Sequence, residues 1–340
     1  MSHPARAQVP ADLAEQGRRF AAELARLVPD GGPVLLAVSG GPDSMAMLTL
    51  AAVAGVPASV ATVDHRLRPE AAAEAAGVAR HAAALGLGHA TLVAPAPPTG
   101  ASIQAQARAL RYRLLADHTR AVGAAAVATA HHVDDQAETF LMRAARGSGV
   151  AGLAGVRVSA VIEGATVVRP LLDWRRAELR AVVRRADAPF VDDPANNDPS
   201  FDRTRFRRLL AGNEWLDPPA LARAATAAAE ADADLADIAD WLWAERATAT
   251  GAEVALRVAD LPRALQRRLV ARALATVRAA AAIATPAWSP ATATEPLIDA
   301  LRAGRRATQA GVIAAGRGAS WRFRPAPPRK SGDRSHSGAE

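Results

Sequence analysis

The first two-thirds of the chain alternates short runs of β-forming residues with longer helix-forming runs. The predicted strands are Val34–Val38, Ala58–Val63, His89–Val93 and Ala125–Ala130. The predicted helices are Asp43–Ala54, Glu70–Leu85, Ser102–Val122 and Val133–Ala145, followed by an α/β stretch of Val167–Leu172 and a helix from Arg175 to about Ala186. Such alternation is typical of βαβ units, which place a parallel sheet between two layers of helices. The predicted fold class is therefore α/β, with a doubly wound parallel sheet.

Polar clusters follow three of these strands. The loop after Val38, the pair Asp64-His65 and the pair His131-His132 each begin where a predicted strand ends. Open parallel sheets bind their ligands beyond the carboxyl ends of the strands. We therefore expect an active site at this edge of the sheet.

The loop after the first strand reads Ser39-Gly40-Gly41-Pro42-Asp43-Ser44. Its glycines lack Cβ atoms, so backbone N–H groups can approach an anion closely, and the two serines add hydroxyl donors. The helix that follows would direct the positive end of its dipole at a bound phosphate. A carboxylate repels phosphate, so we interpret Asp43 as a Mg²⁺ ligand. The alternative is an ordinary Gly-Gly turn with a helix cap.

Composition limits the class of function. The 340-residue chain carries a formal net charge of +7, which favours an anionic partner, with nucleic acid ahead of a membrane. A merely basic soluble protein is the alternative. The absence of cysteine excludes thiolate zinc sites, cysteine-ligated iron–sulfur clusters and protein persulfides. Neither a signal peptide nor a membrane span stands out, so we expect a cytoplasmic protein.

A second cluster reads His131-His132-Val133-Asp134-Asp135-Gln136-Ala137-Glu138. A helix starting near Val133 would gather the three carboxylates on one face of its first turns. Concentrated negative charge there can bind Mg²⁺ or a substrate amine. Two alternatives remain open: the usual preference for acids in the first turn of a helix, and a zinc site using His131 and Asp135.

Both clusters resemble, in order and spacing, those of the bacterial tRNA(Ile)-lysidine synthetase family, a branch of the PP-loop (N-type) ATP pyrophosphatases. The resemblance spans residues 31 to about 210 and is loose from residue 213 onward. Arg66 stands where members of the family often have glycine. The further segments that match are Arg108-x-x-Arg111-Tyr112, Arg146-Gly147-Ser148-Gly149, Arg169-Pro170-Leu171-Leu172, Asp193-Pro194-x-Asn196 and Arg203-x-Arg205.

The resemblance implies an adenine nucleotide α-hydrolase-like fold and a two-step reaction. ATP would adenylate the carbon-2 oxygen of the wobble cytidine in a CAU-anticodon tRNA(Ile). The ε-amine of free L-lysine would then displace AMP to give lysidine, which changes codon recognition to AUA. The implied partners are this tRNA, lysine, and ATP with Mg²⁺, without a membrane and with a homodimer left open. The alternative is a PP-loop amidating or aminating synthetase that acts on a small molecule.

The resemblance also implies residue roles. The ATP-binding residues would be Ser39, Gly40, Gly41, Pro42, Asp43, Ser44, Asp64 and His65. The catalytic residues would be Asp43, Asp134, Asp135, His132, Arg111 and Arg205, with Mg²⁺ on Asp43 and Asp134. Lysine would be bound by Asp135 and Glu138. The tRNA would be contacted by Arg108, Arg146, Arg203, Arg207 and Arg208.

Two domains, an N-terminal extension and a C-terminal tail are expected along the chain. An N-terminal helical extension (1–30) precedes the catalytic domain (31–212). A smaller, mainly helical domain (213–324) would contact tRNA, and its residues 250–324 have a mixed helix and strand pattern. The proline-rich end (325–340) has the composition of a disordered tail.

Overall fold

The computed structural model describes residues 10–100, 102–192, 202–258, 260–290 and 292–327. The chain divides into two compact units, Met1–Ala229 and Glu230–Glu340. The division lies within a single helix, on the C-terminal side of the boundary that we predicted at residue 212. The motif at Asp193-Pro194-x-Asn196 and most of the predicted tail lie outside the described residues.

The first unit is built on a six-stranded sheet with the order β3-β2-β1-β4-β6-β5. Five strands are parallel, and β5 pairs antiparallel with β6 at one edge. The predicted doubly wound α/β fold is confirmed. The strands are β1 (Val34–Ala37), β2 (Ala58–Asp64), β3 (His89–Val93), β4 (Ala126–Ala128), β5 (Ser159–Ile162) and β6 (Ala165–Val168).

The β5–β6 hairpin was not expected from the sequence. Its two-residue turn, Glu163-Gly164, has φ angles of +51° and +78°. Positive φ at both central residues is the geometry of a type I′ turn, which suits the twist of a hairpin. Glutamate is uncommon at this position, and for that reason the turn gives only a weak signal in the sequence.

Helices flank the sheet, and their apolar residues form its core. Fully buried side chains from β1 (Leu35 and Leu36), α2 (Met45 and Leu48) and the segment before α7 (Trp174) belong to this core. The helices of this unit are α1 (Ala11–Leu27), α2 (Pro42–Val53), α3 (Ala71–Ala84), α4 (Ile103–Ala121), α5 (Val133–Ala145), α6 (Val150–Leu153), α7 (Arg176–Arg185) and α8 (Asp202–Ala211).

The second unit contains an antiparallel sheet with the order β7-β8-β11-β10-β9. Its helices provide more residues than its strands, and its sheet accounts for the mixed pattern seen in the sequence. No described helix is long and apolar enough to cross a membrane. The remaining elements are α9 (Pro218–Arg246), which spans the division, β7 (Ala247–Thr250), β8 (Glu253–Arg257), α10 (Arg263–Ala280), α11 (Glu295–Arg302), β9 (Arg306–Gln309), β10 (Val312–Arg317) and β11 (Ser320–Pro325).

Candidate active site

The loop between β1 and α2 is held in shape by its own hydrogen bonds. The Ser44 hydroxyl donates to the Gly41 carbonyl (2.9 Å) and accepts the Ser39 backbone N–H (3.1 Å). From outside the loop, the Val191 N–H donates to the Gly40 carbonyl (3.0 Å). These hydrogen bonds fix the conformation of the loop at the carboxyl end of β1.

Only one of the two loop glycines is required by the backbone. Gly40 has φ +88°, whereas Gly41 has φ −75° and a conformation open to any residue. Pro42 is the first residue of α2, where its missing N–H costs no helical hydrogen bond. The loop thus leads directly into a helix N-terminus, which is a favourable place for an anion.

Asp43, His132 and Asp135 converge from two helix N-termini. His132 Nε2 lies 3.4 Å from Asp43 Oδ2 and 3.6 Å from Asp135 Oδ2. The His132 side chain is fully buried, and Asp43 Oδ1 is buried without a hydrogen-bond partner among the described residues. This histidine therefore connects the loop between β1 and α2 to the acidic face of α5.

His132 also caps α5. Its Nδ1 accepts the Asp135 N–H at 3.4 Å, while the Asp135 carboxylate accepts the His132 N–H at 3.1 Å. This reciprocal capping box satisfies two backbone donors at the helix start. Burial disfavours the charged imidazole, but the negative charges of Asp135 and Asp43 outweigh it and raise the pKa of His132.

Asp134 also lies beside His132, with Oδ2 3.7 Å from Nδ1, and is held by residues at the start of α7. It accepts from Arg175 Nε (3.3 Å), Arg175 Nη2 (3.2 Å) and the Arg176 N–H (2.8 Å). Burial opposes its ionised form, yet these hydrogen bonds lower the pKa of Asp134 below its ordinary value. Both carboxylate oxygens are thus already engaged within the protein.

Glu138 lies at the centre of a group of arginines. Its side chain is only 1% exposed and accepts from Arg176 Nη2 (2.7 Å), Arg203 Nε (2.7 Å) and Arg207 Nε (2.9 Å). Arg203 Nη2 also donates to Asp135 Oδ1 at 2.6 Å. Burial again opposes ionisation, but nearby cations lower the pKa of Glu138, and His132 and Arg203 lower that of Asp135 to about 2. Both carboxylates are therefore charged at neutral pH.

A cationic group faces the same edge from α4 and from the end of β6. The Arg108 and Arg111 guanidinium carbons lie 5.0 and 5.2 Å from the centre of the Tyr112 ring, and Arg169 is buried nearby. Within the described ranges, none of these three arginines forms an ion pair with a carboxylate. Burial, followed by the positive charges of Arg169, Arg111 and Arg203, lowers the pKa of His131 to about 3 despite the attraction of Asp135. His131 is therefore neutral.

The end of β2 supplies the third polar cluster. Asp64 is buried and accepts the Arg66 N–H at 2.7 Å. Arg66 has φ +56°, the left-handed region that favours glycine. Burial and the charge of Arg111 lower the pKa of His65. The charge of Arg111 thus acts on both His65 and His131, whereas the loop after β1 meets the cluster of α5 at His132.

Not every predicted residue lies in this group. Arg203 and Arg207 are one helical turn apart on α8 and turn towards Glu138, whereas Arg205, two residues from each, is exposed on the opposite face. Arg146 pairs with Asp202, and Arg208 is exposed. The predicted contact of Arg146, Arg203, Arg207 and Arg208 with RNA stays a prediction.

Three residues with clear roles in the geometry were absent from our predicted site. Arg175 and Arg176 engage Asp134 and Glu138, and Arg169 lies beside Tyr112. Arg169 was visible in a matched motif but was given no role. Within the described ranges, no group of three His, Cys, Asp or Glu side chains could hold a metal ion, so the zinc alternative gains no support there.

These elements define an ATP-binding enzyme of the PP-loop class, and the family model of the PP-loop domain matches residues 15–214. The chain is 42% identical to the tRNA(Ile)-lysidine synthase of Zymomonas mobilis over 89% of this chain and 91% of that protein. The corresponding enzyme of Novosphingobium aromaticivorans is also 42% identical, over 94% and 96% of the two chains. The chain belongs to the tRNA(Ile)-lysidine synthase family.

A solved structure supports the fold alone. The U34-tRNA thiolase NcsA from Methanococcus maripaludis superposes with a TM-score of 0.53 at 15% identity, over 64% of this chain and 76% of that chain. That enzyme carries a [4Fe-4S] cluster, whereas this chain has no cysteine. The family comparisons confirm the predicted ATP-dependent ligase and favour it over the small-molecule synthetase.

Proposed function

We propose that this chain joins L-lysine to carbon 2 of the wobble cytidine in a CAU-anticodon tRNA(Ile). The cytidine O2 attacks the α-phosphorus of ATP, and pyrophosphate leaves. The lysine ε-nitrogen then forms a bond to carbon 2, the bond from carbon 2 to oxygen breaks, and AMP leaves. One proton is lost from the nitrogen. The products are lysidine, AMP and pyrophosphate.

One observation carries this proposal: the phosphate loop and the acidic face of α5 meet at His132. Asp43 belongs to the loop that would hold pyrophosphate, and Asp135 belongs to the carboxylates that would receive an amine. His132 lies within 3.6 Å of both. Such proximity suits a reaction in which ATP activates the cytidine O2 and the amine then attacks carbon 2, the atom bonded to that oxygen.

Magnesium would bind at Asp43. Its buried Oδ1 has no hydrogen-bond partner among the described residues, and a hard cation prefers such an oxygen. Asp134 fits a metal less well, because Arg175 and the Arg176 N–H already engage both of its oxygens. The remaining ligands would then be phosphate oxygens and water. The ion would neutralise charge on the departing pyrophosphate.

Free lysine would bind at Asp135 and Glu138, as the family resemblance implies. Both carboxylates are ionised and buried, which suits an ammonium group. Arg203 already donates to both of them, so the lysine amine must share or displace these hydrogen bonds. We propose that Arg203, Arg176 and Arg207 compensate the negative charge of the two carboxylates in the lysine-binding site.

The attacking amine must lose its proton before it forms the new bond. We propose His132 as the acceptor, because its imidazole lies within 3.6 Å of Asp135, where the amine would bind. Arg111 lacks a carboxylate partner in the described part of the chain and would clamp the α-phosphate of the adenylate.

The remaining assignments complete the proposal. Ser39, Gly40, Gly41, Pro42 and Ser44 would hold pyrophosphate, and Asp64 and His65 would lie beside the nucleotide. With tRNA as the substrate, the reaction would take place in the cytoplasm. The domains at 31–212 and 213–324 would perform catalysis and RNA contact, respectively. A homodimer remains a prediction.

The test is incorporation of labelled lysine into CAU-anticodon tRNA(Ile) by the purified protein. We expect ATP-dependent incorporation of one lysine per tRNA, and none into methionine tRNA with the same anticodon. The absence of incorporation into tRNA(Ile) would overturn the proposal. ATP–pyrophosphate exchange that needs no RNA would instead favour a small-molecule substrate.

A further inference from the structure

The sheet of the second unit has two chemically different faces. Successive residues of a strand point to opposite faces, so alternate positions share an environment. On one face Val254, Leu256, Trp321 and Phe323 are fully buried in a core that includes residues of α10 and α11. The side chains of the other face are exposed or only partly buried, so no layer of described residues covers this face.

The outward face carries arginine where the inward face carries apolar residues. On β11, Arg322 and Arg324 alternate with Trp321 and Phe323. Arg317 ends β10 on the same side, since it pairs with Ser320. The exposed arginines that share this face are Arg257, Arg306, Arg317, Arg322 and Arg324.

The arginines of β9, β10 and β11 are without ionic partners in the described ranges. By contrast, four of the five arginines of α10 form ion pairs: Arg263 with Asp299, Arg267 with Glu295, Arg268 with Asp232 and Arg272 with Asp240. On the outward face the strands contribute one acid, Glu253. The face therefore has positive charge that the described part of the chain leaves uncompensated.

The spacing of these charges is set by the sheet. Arg322 pairs with Ala315, which in turn pairs with Arg306, so these arginines stand two strands apart, roughly 10 Å. Arg322 and Arg324 are two residues apart along one strand, about 7 Å. Small side chains lie between them, among them Ala315 and Ala255, and the strands place no aromatic side chain on this face.

We propose that the outward face of the second sheet, through Arg306, Arg317, Arg322 and Arg324, binds the phosphate backbone of the RNA substrate. This inference rests on the proposed function, because that function supplies the RNA. A broad array of unpaired guanidinium groups complements a row of phosphates. The strands offer this face no aromatic side chain for base stacking, and contacts to phosphate carry no sequence information, so the face would position the RNA and not read its sequence.

The experiment measures the affinity for CAU-anticodon tRNA(Ile) against salt concentration, without ATP or lysine. The test variant is Arg306→Gln/Arg322→Gln/Arg324→Gln. The control removes three exposed arginines of the first unit that have no described partner, Arg18→Gln/Arg184→Gln/Arg223→Gln. Thermal unfolding of each variant checks that it folds.

We expect the slope of log K against log salt to become shallower by about 2 to 3 in the test variant, since each lost phosphate contact reduces it by about 1. The control slope should match the wild type. An Arg→Lys triple variant at the same three positions should restore the slope, because phosphate attraction needs charge and not a planar guanidinium. A test variant with the wild-type slope would overturn the proposal.

The result is separable from that of the catalytic proposal. Binding is measured without reaction, so RNA binding that is lost in the test variant would support this surface even if the wild type incorporated no lysine. Conversely, lysine incorporation with an unchanged salt slope would support the catalytic proposal and overturn this surface.

Discussion

The two sheets of this molecule use arginine in opposite ways. At the carboxyl edge of the first sheet, Arg176, Arg203 and Arg207 all donate to one buried carboxylate, Glu138. On the outward face of the second sheet, Arg322 and Arg324 are exposed and have no ionic partner among the described residues. The same side chain therefore holds a buried site together in one unit and leaves its charge available for an external anion in the other.

The difference shows that the ion pairs of individual arginines are more informative than the net charge of the chain. A net charge of +7 alone gives no information about which arginines meet a partner. Arginines held by carboxylates shape the pKa values of the site, whereas unpaired ones add to long-range attraction for RNA. Substitutions at the first edge should therefore change chemistry or stability, and those on the second face should change RNA affinity.

The largest effect is expected at Asp43. Replacing Asp43 by alanine removes the oxygen proposed to hold Mg²⁺ at the pyrophosphate. We expect the rate of RNA-dependent ATP–pyrophosphate exchange to fall by about 10²- to 10³-fold or more. Asp30→Ala, an exposed acid that precedes β1, is the matched control and should retain the wild-type rate. An Asp43→Ala enzyme with near-normal exchange would contradict the assignment.

Removing the charge of the buried Glu138 should reduce stability much more than removing the charge of the exposed Glu253. Glu138→Gln leaves three guanidinium groups without their buried anion, so we expect a loss of about 3 kcal/mol in the free energy of unfolding, measured with urea. Glu253→Gln, on the outward face, should change it by less than about 0.5 kcal/mol. Equal losses of unfolding free energy in the two variants would contradict this difference.

The folded Glu138→Gln enzyme should have a higher KM for lysine, while its rate of adenylation stays near the wild-type value. Equal loss of adenylation and of lysine use would contradict the assignment of Glu138 to lysine binding.

Acid should weaken the first unit through Asp135. Its folded pKa of about 2 lies below the ordinary value of 3.8, so its ionised form stabilises the fold. This contribution is fully present above pH 4 and is lost as the pH falls towards 2, at a cost of about 2 kcal/mol. Urea titrations between pH 5 and 2 measure it, and Asp135→Asn should show a shallower dependence. An unchanged dependence in that variant would refute the pKa assignment.

The smallest effect is expected in the phosphate loop. Gly40→Ala must adopt φ +88°, which costs about 1 to 2 kcal/mol, and its Cβ would lie 3.4 Å from Val78 Cγ2. Gly41→Ala meets only Ser39 Oγ at 3.8 Å and should leave stability almost unchanged. Thermal unfolding of the two variants measures the difference. Two equally stable variants would show that the backbone at residue 40 can adopt another conformation, and would contradict the claim that the loop requires glycine there.

Much of the first unit could be predicted from its sequence. The buried strands are continuous apolar runs followed by polar residues, so the placement of Ser39–Ser44 and His132 at the carboxyl edge of the sheet could be predicted. The arginine contacts could not be predicted, because a long side chain can reach several partners. The spacing of Arg203 and Arg207 did contain a signal, since residues four apart share a helix face. The same rule excludes Arg205 from that face.

The second unit was harder to read. Its strands are short, and the alternation that defines the outward face is clear only where Trp321 and Phe323 alternate with Arg322 and Arg324. Antiparallel pairing between segments that are distant in sequence leaves no local pattern, so the sheet itself could not be assembled from sequence. Arg306 and Arg322, for example, share a face only because β10 lies between their strands.

The most direct test of this division compares two variants in one assay of lysine incorporation against tRNA concentration. We expect Asp43→Ala to lose kcat while its KM for tRNA stays near the wild-type value. We expect Arg306→Gln/Arg322→Gln/Arg324→Gln to keep the wild-type kcat and to raise KM for tRNA about tenfold or more at physiological salt. If both variants lose kcat and neither changes KM, the separation of chemistry from RNA docking is wrong.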